Sequence, residues 1–183
     1  VLNSKARSRQ ISTATNPPIM VLTTTLEGPE AMSAFGHSLA RLLKSGDVIT
    51  LEGGLGAGKS TLARGLISRI LEDAGLASDD IPSPTFTLVQ PYPWPDDTDA
   101  GREIWHFDLW RLDGPDEVIE LGFDEALSRH AMIIEWPDRL AGLLPAEALQ
   151  IEIEPIDDGA ARVLSIKGGE AAGWPERLAS LAL

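Results

Sequence analysis

The segment Gly53-Gly54-Leu55-Gly56-Ala57-Gly58-Lys59-Ser60 fits the pattern G-x-x-x-x-G-K-[ST] at every fixed position. Glycines suit such a loop because they accept positive φ and let backbone N–H groups converge on phosphate oxygens with no Cβ in the way. The apolar run Val48–Leu51 reads as a strand leading into the loop, and an amphipathic helix opens at Lys59. The dipole of that helix adds to the attraction for an anion. Lys59 then reaches β- and γ-phosphates, and the Ser60 hydroxyl sits on magnesium. The expected ligands are ATP or ADP with Mg²⁺. No guanine-reading N-K-x-D motif occurs in the chain, which leans towards adenine.

A phosphate loop of this type needs an acid at a neighbouring strand end to hold the magnesium shell. Two strands end that way: Ile104-Trp105-His106-Phe107-Asp108 and Ala131-Met132-Ile133-Ile134-Glu135. In an α/β sheet the strand C-termini line the ligand crevice, so Asp108 and Glu135 are candidate metal and catalytic acids. Their division of labour stays open. Pro84-Thr85-Phe86-Thr87 could supply a hydroxyl to magnesium or to the γ-phosphate, and reads equally well as threonines on an ordinary strand. His37, His106 and His130 are scattered and read as structural or exposed. With no cysteine in the chain, no zinc site is expected. Trp105 alternates with Phe107 and Leu109 and reads as core; Trp136, between Glu135 and Pro137, is harder to assign to packing.

The elements that would position these residues follow from periodicity. A Thr-rich strand is expected over Val21–Leu26. A helix then starts at Gly28-Pro29, carrying Met32, Phe35, Leu39 and Leu42/Leu43 at helical spacing. The helix after the loop buries Leu62, Leu66, Ile70 and Leu71 and stops at Gly75. The Pro- and Asp-rich stretch from Ser78 to Gly101 is expected to hold one strand, Phe86–Val89. Further strands are expected at Ile104–Leu109 and Ala131–Ile134, with short helices at Pro115–Leu121 and Asp124–Arg129. Leu149–Glu154 and Arg162–Lys167 read as a hairpin turning at Asp157-Asp158-Gly159, and Pro175–Leu183 as a last helix. This alternation predicts an α/β fold: a P-loop NTPase-type three-layer sandwich with a mostly parallel sheet and an antiparallel C-terminal portion.

At 183 residues the chain suits one domain, taken as a single P-loop ATPase domain over residues 20–183. Residues 1–19 hold Lys5, Arg7 and Arg9 and no acid, and read as a disordered leader or an artificial extension. No apolar run is long enough for a signal peptide or a membrane helix, and a cytoplasmic location is expected. The formal charge is −13, which makes unaided capture of nucleic acid improbable on electrostatic grounds.

Five segments in order carry a resemblance: Gly-Leu-Gly-Ala-Gly-Lys (54–59), Ser-Pro-Thr-Phe-Thr-Leu-Val (83–89), His-Phe-Asp-Leu-Trp-Arg-Leu (106–112), Glu-Leu-Gly-Phe (120–123) and Ile-Glu-Trp-Pro (134–137). Together they resemble the TsaE (YjeE) family, the small ATPase of bacterial tRNA threonylcarbamoyladenosine synthesis. The resemblance implies a nucleotide site of Gly54, Leu55, Gly56, Ala57, Gly58, Lys59, Ser60 and Thr61. It implies magnesium held by Ser60 with Asp108 and Glu135, and catalytic roles for Asp108, Glu135 and Trp136. It also implies action on a TsaB–TsaD heterodimer, with tRNA met only through that complex. Gly54 stands where the family usually has Asp, Ser60 where it has Thr, and Trp110 where Tyr is common. Two rival functions are a small-molecule kinase of the same fold and a nucleotide-gated binding module without useful hydrolysis. The absence of any Lys or Arg between Leu76 and Gly101 counts against a kinase's arginine-rich lid.

Overall fold

A computed structural model describes residues 19–78, 80–94 and 101–181. Strand β1 (Ile19–Glu27) leads into helix α1 (Gly28–Ala40), then β2 (Val48–Glu52), the phosphate loop and helix α2 (Lys59–Asp73). After β3 (Val89–Pro93) and β4 (Glu103–Asp108) come two short helices, α3 (Pro115–Glu120) and α4 (Phe123–Arg129), and then β5 (Ala131–Glu135). The hairpin β6 (Leu149–Ile156) and β7 (Ala161–Gly168) precedes a final helix, α5 (Trp174–Leu178). One seven-stranded sheet results, in the order β1-β7-β6-β2-β5-β4-β3. The four central strands β6, β2, β5 and β4 run parallel. Both edges are antiparallel: β7 and β1 on one side, and β3 on the other. The expected antiparallel C-terminal portion is present; the antiparallel β3 edge and the pairing of β1 with β7 are additions that tertiary structure makes.

Helices cover both faces, as a three-layer sandwich requires. Ile49, Leu51, Ile104 and Ile133 point into a core with α1, α2 and α5, whereas Val48, Phe107, Met132 and Ile134 point into a second core with α3 and α4. The strict alternation along each strand places His106 and Asp108 on the Ile104 face, and Glu135 on the Ile133 face. All three therefore look towards the α2 side. Helices α1 and α2 approach through two glycines: a Cβ on Gly36 would lie 2.4 Å from the Leu62 carbonyl oxygen, and one on Gly65 would lie 2.4 Å from that of Ser33. This contact seats α1 behind the phosphate loop, with Met32 against Gly58.

The strand expected over Phe86–Val89 is displaced. Residues 84–87 form a turn, and β3 begins only at Val89. The apolar run misleads because Phe86 faces solvent, 87% exposed, while Leu88 takes a positive φ of 66° and its N–H donates to the Pro84 carbonyl. Two prolines within β3 are tolerated because it lies at the sheet edge. Strand β1 begins at Ile19, inside the segment expected to be leader; residues 1–18 lie outside the described residues. The last helix is shorter than the expected Pro175–Leu183, and residues 182–183 lie outside the described residues. Arg177 anchors that helix by bonding Asp47 and the Leu42 carbonyl. Among the described residues no helix is long and apolar enough to cross a membrane.

Candidate active site

Strand β2, buried through Leu51, delivers the chain to the loop between itself and α2. Two glycines there are sterically required. Gly53, at φ +150°, leaves no room for a Cβ, which would meet the Ile153 carbonyl oxygen at 2.6 Å; Gly58, at φ +111°, occupies the N-cap of α2. Gly54, Leu55 and Gly56 are exposed, Leu55 at 96%, while Ala57 is buried against the core. The first turn of α2 carries Lys59, Ser60 and Thr61. No side chain caps this helix and no acid lies in its first turn, so its leading N–H groups and positive dipole end are available to an anion. A lysine at the first helical position opposes the dipole preference for acids there. The arrangement suits a negatively charged ligand.

Lys59 is 5% exposed. Its Nζ donates to the carbonyl oxygens of Gly53 (2.7 Å) and Gly54 (2.9 Å) and lies 3.9 Å from the centroid of the Trp136 ring. Burial lowers its pKa, while the nearby Glu135 and Asp108 carboxylates oppose that shift. Trp136 itself sits at φ +61°, a left-handed conformation that costs a bulky residue of order 1–3 kcal/mol. Its N–H donates to the Leu51 carbonyl (3.3 Å). That bond continues the parallel ladder between β5 and β2, and the indole that follows the strand end lies on Lys59.

The two strand-end acids are in-register partners across β4 and β5. Each takes a hydroxyl from a different segment. Ser60 Oγ donates to Glu135 Oε2 at 3.0 Å, and Thr85 Oγ1 donates to Asp108 Oδ2 at 2.9 Å. Asp108 Oδ1 also accepts the Trp110 N–H at 3.3 Å. Thr85, for which a plain strand position was an equal alternative, is therefore bonded to Asp108, and Ser83 lies 2.9 Å beyond it. Arg111 donates to the Thr85 (2.7 Å) and Phe86 (3.0 Å) carbonyls, which ties the turn to the strand end. Thr87 is exposed.

His106, which reads from the sequence as structural or exposed, bonds one of the two acids. Fully buried, its Nε2 donates to Glu135 Oε1 at 2.9 Å, and its Nδ1 meets no protein partner. The available signal was its spacing, two residues before Asp108 and so on the same strand face. His130 instead stacks on Trp105, and its Nδ1 accepts the Glu103 N–H, a structural place as expected. Arg162 stands at the start of β7. Its guanidinium donates to Ala57 O (3.1 Å), Gly56 O (3.4 Å) and Gly159 O (2.6 Å). No local pattern marks it.

The described residues contain no cluster of three or more His, Cys, Asp or Glu fit to hold a metal ion. Two carboxylates, each bonded to a hydroxyl and both near enough to Lys59 to act on its charge, form an all-oxygen donor set. Such a set suits a hard ion that keeps waters and shares phosphate oxygens, as Mg²⁺ does. The residues present therefore fit magnesium with a nucleotide, and the uncapped helix end fits the phosphates.

Comparison with known proteins identifies the family. The family model described as "Threonylcarbamoyl adenosine biosynthesis protein TsaE" matches residues 26–163. A tRNA threonylcarbamoyladenosine biosynthesis protein TsaE of Rickettsia felis is 35% identical over 133 residues, 73% of this chain and 72% of that protein. Its Bacillus subtilis counterpart is 36% identical over 131 residues, 71% of this chain and 75% of that protein. The crystal structure of Bacillus subtilis YdiB superposes with a TM-score of 0.63 at 29% identity, covering 86% of this chain and 93% of that one. The loop, the Ser83–Val89 segment and both acidic strand ends all fall inside the matched span, and the chain belongs to the TsaE family.

Proposed function

We propose that this chain is a magnesium-dependent ATPase serving tRNA threonylcarbamoyladenosine synthesis in the cytoplasm. It turns over slowly alone and faster when docked on a TsaB–TsaD heterodimer. The observation that carries the reading is a buried Lys59 at the uncapped start of α2, beside two in-register carboxylates that each hold a hydroxyl. On nucleotide binding Lys59 exchanges its two loop carbonyls for β- and γ-phosphate oxygens, and the loop N–H groups take the remaining oxygens. Ser60 and Glu135, already in contact, are the pair to hold magnesium, with His106 fixing the far carboxylate oxygen. Magnesium, when bound, neutralises charge on the β- and γ-phosphates. Asp108, aligned by Thr85 and the Trp110 N–H, is placed to orient the attacking water and accept its proton. Trp136 keeps Lys59 desolvated and aimed into the site.

Partner dependence follows from charge. Three arginines could in principle serve as a finger in cis: Arg64 is exposed on α2, Arg102 stacks on Trp94, and Arg111 is engaged by the Thr85 and Phe86 carbonyls. An arginine supplied in trans is worth roughly 10³–10⁵ in rate, and a net charge of −13 disfavours tRNA capture by the chain alone. Steady-state phosphate release with and without TsaB, TsaD and tRNA, beside a gel shift of the lone chain, tests the reading. Stimulation by the heterodimer and no shift are expected. Equal rates in both mixtures, tight tRNA binding by the chain alone, or turnover that rises only with a phosphate-accepting metabolite would overturn it.

A further inference from the structure

We propose that Arg162 is a positioning residue for the phosphate loop, making the β6–β7 hairpin a working part of the nucleotide site. The inference rests on the phosphate-loop reading above and adds to it a residue from the far side of the sheet. Arg162 lies 105 positions from Ala57 and 106 from Gly56, yet its Nε and Nη2 donate to those two carbonyls at 3.1 and 3.4 Å. Its Nη1 donates to the Gly159 carbonyl, in the hairpin turn, at 2.6 Å. One planar guanidinium therefore joins the loop to the turn, using a fork of donors that lysine lacks.

The consequence for the loop is geometric. In a trans peptide the C=O and N–H point in opposite directions. Drawing the Ala57 carbonyl towards β7 aims the Gly58 N–H the other way, and the Gly56 carbonyl likewise sets the Ala57 N–H, which reaches the Gly54 carbonyl at 3.2 Å. A glycine-rich loop has many backbone states to lose on binding; a clamp that selects one of them before ATP arrives lowers that entropic cost. Gly58 is also boxed in on this side, with its Cβ position 3.8 Å from Arg162 Nε and 3.3 Å from Met32 Cε. The clamp acts on loop geometry shared by ADP and ATP, so its contribution falls on affinity for both and not on the chemical step.

The test compares the full chain with R162M and R162K, measuring Mg–ATP and Mg–ADP affinity, heterodimer-stimulated kcat and KM, and amide hydrogen exchange. R162M is expected to weaken both nucleotides by about tenfold and to raise KM, with kcat at saturating ATP within about twofold. R162K, which keeps the charge without the fork, is expected to fall between R162M and wild type. Exchange is expected to speed up in the loop and not in β6–β7. Unchanged affinity in R162M overturns the proposal. So does a fall in kcat at constant affinity, which would make Arg162 a finger, or full recovery in R162K, which would make it a simple charge. If R162M unfolds, R162K decides: exchange that rises equally through β6–β7 and the loop assigns a merely structural role and overturns the proposal. Failure of wild type to bind nucleotide would instead overturn the phosphate-loop reading.

Discussion

The two halves of the sheet are built on different rules. In the parallel half, β2 is buried through four of its five residues and β5 through all five, because helices cover both faces. In the antiparallel half, which β6 joins through its pairing with β7, β6 alternates buried and half-buried residues over Leu149–Ile153, β7 does so over Leu164–Gly168, and β1 alternates half-buried and exposed ones from Leu22. One face there carries Gln150, Glu152, Ser165 and Lys167. Parallel strands need both faces covered, whereas antiparallel ones tolerate water on one side. The chemistry follows the difference. Parallel strands bring their C-terminal ends to a single rim, where the loop, Asp108 and Glu135 meet. The antiparallel half presents a hairpin turn at that rim and contributes Arg162 to the loop from there. On the proposed function the reacting groups stand at buried strand ends, while the wetter half holds the loop in place.

The most severe test of this division is Lys59→Ala. A hydrogen bond to a charged group contributes about 1.5–3 kcal/mol, so losing two phosphate contacts predicts about 3–6 kcal/mol, at least a hundredfold in ATP affinity or turnover. Nucleotide titration and phosphate release measure it; wild-type values in the mutant would remove the chemistry from the parallel half. Next in size is Ile133→Ala, which empties a fully buried site on β5 and is expected to cost about 2–5 kcal/mol in denaturant unfolding. A loss under about 1 kcal/mol would show that the parallel half is not tightly packed.

Asp108→Asn and Glu135→Gln are expected to cut turnover at least about tenfold, or about 1.4 kcal/mol in activation free energy, while nucleotide still binds. The action proposed for them lies where charge develops in the transition state. Single-turnover hydrolysis with the partners present separates this from a binding defect, and an unchanged rate in either variant would strip that residue of its role. The smallest effect belongs to the wet face. Glu152 and Lys167 form an ion pair at 3.6 Å with side chains 42% and 38% exposed, and such pairs contribute about 0–1 kcal/mol. Lys167→Gln is thus expected to leave unfolding midpoints and ATP turnover nearly unchanged, and a large change in either would contradict the division.

Much of the site was legible because it is written in short stretches. A strand, a glycine run, a lysine and a helix follow one another without a gap, and two apolar runs each stop at an acid. The misplacement of β3 shows the limit of that reading. Phe86 and Leu88 have strand-like identities, but the turn holding Thr85 on Asp108 takes them out of the sheet, and the strand resumes at Val89. His106 was undervalued for a related reason. A histidine on a buried strand face is usually structural, and only the pairing of β4 with β5 brings it onto Glu135.

By itself the sequence determined the phosphate loop, both acidic strand ends, most helices and the C-terminal hairpin, because each depends on spacing within about twenty residues and on periods of 2 and 3.6. Only the tertiary structure decided strand order, the face shared by His106, Asp108 and Glu135, the indole over Lys59, and the Arg162 contact with a loop 105 positions away. Those contacts join segments that have no local reason to meet. They exist because burying the two cores fixes the sheet order, and the sheet order then brings these side chains to one rim.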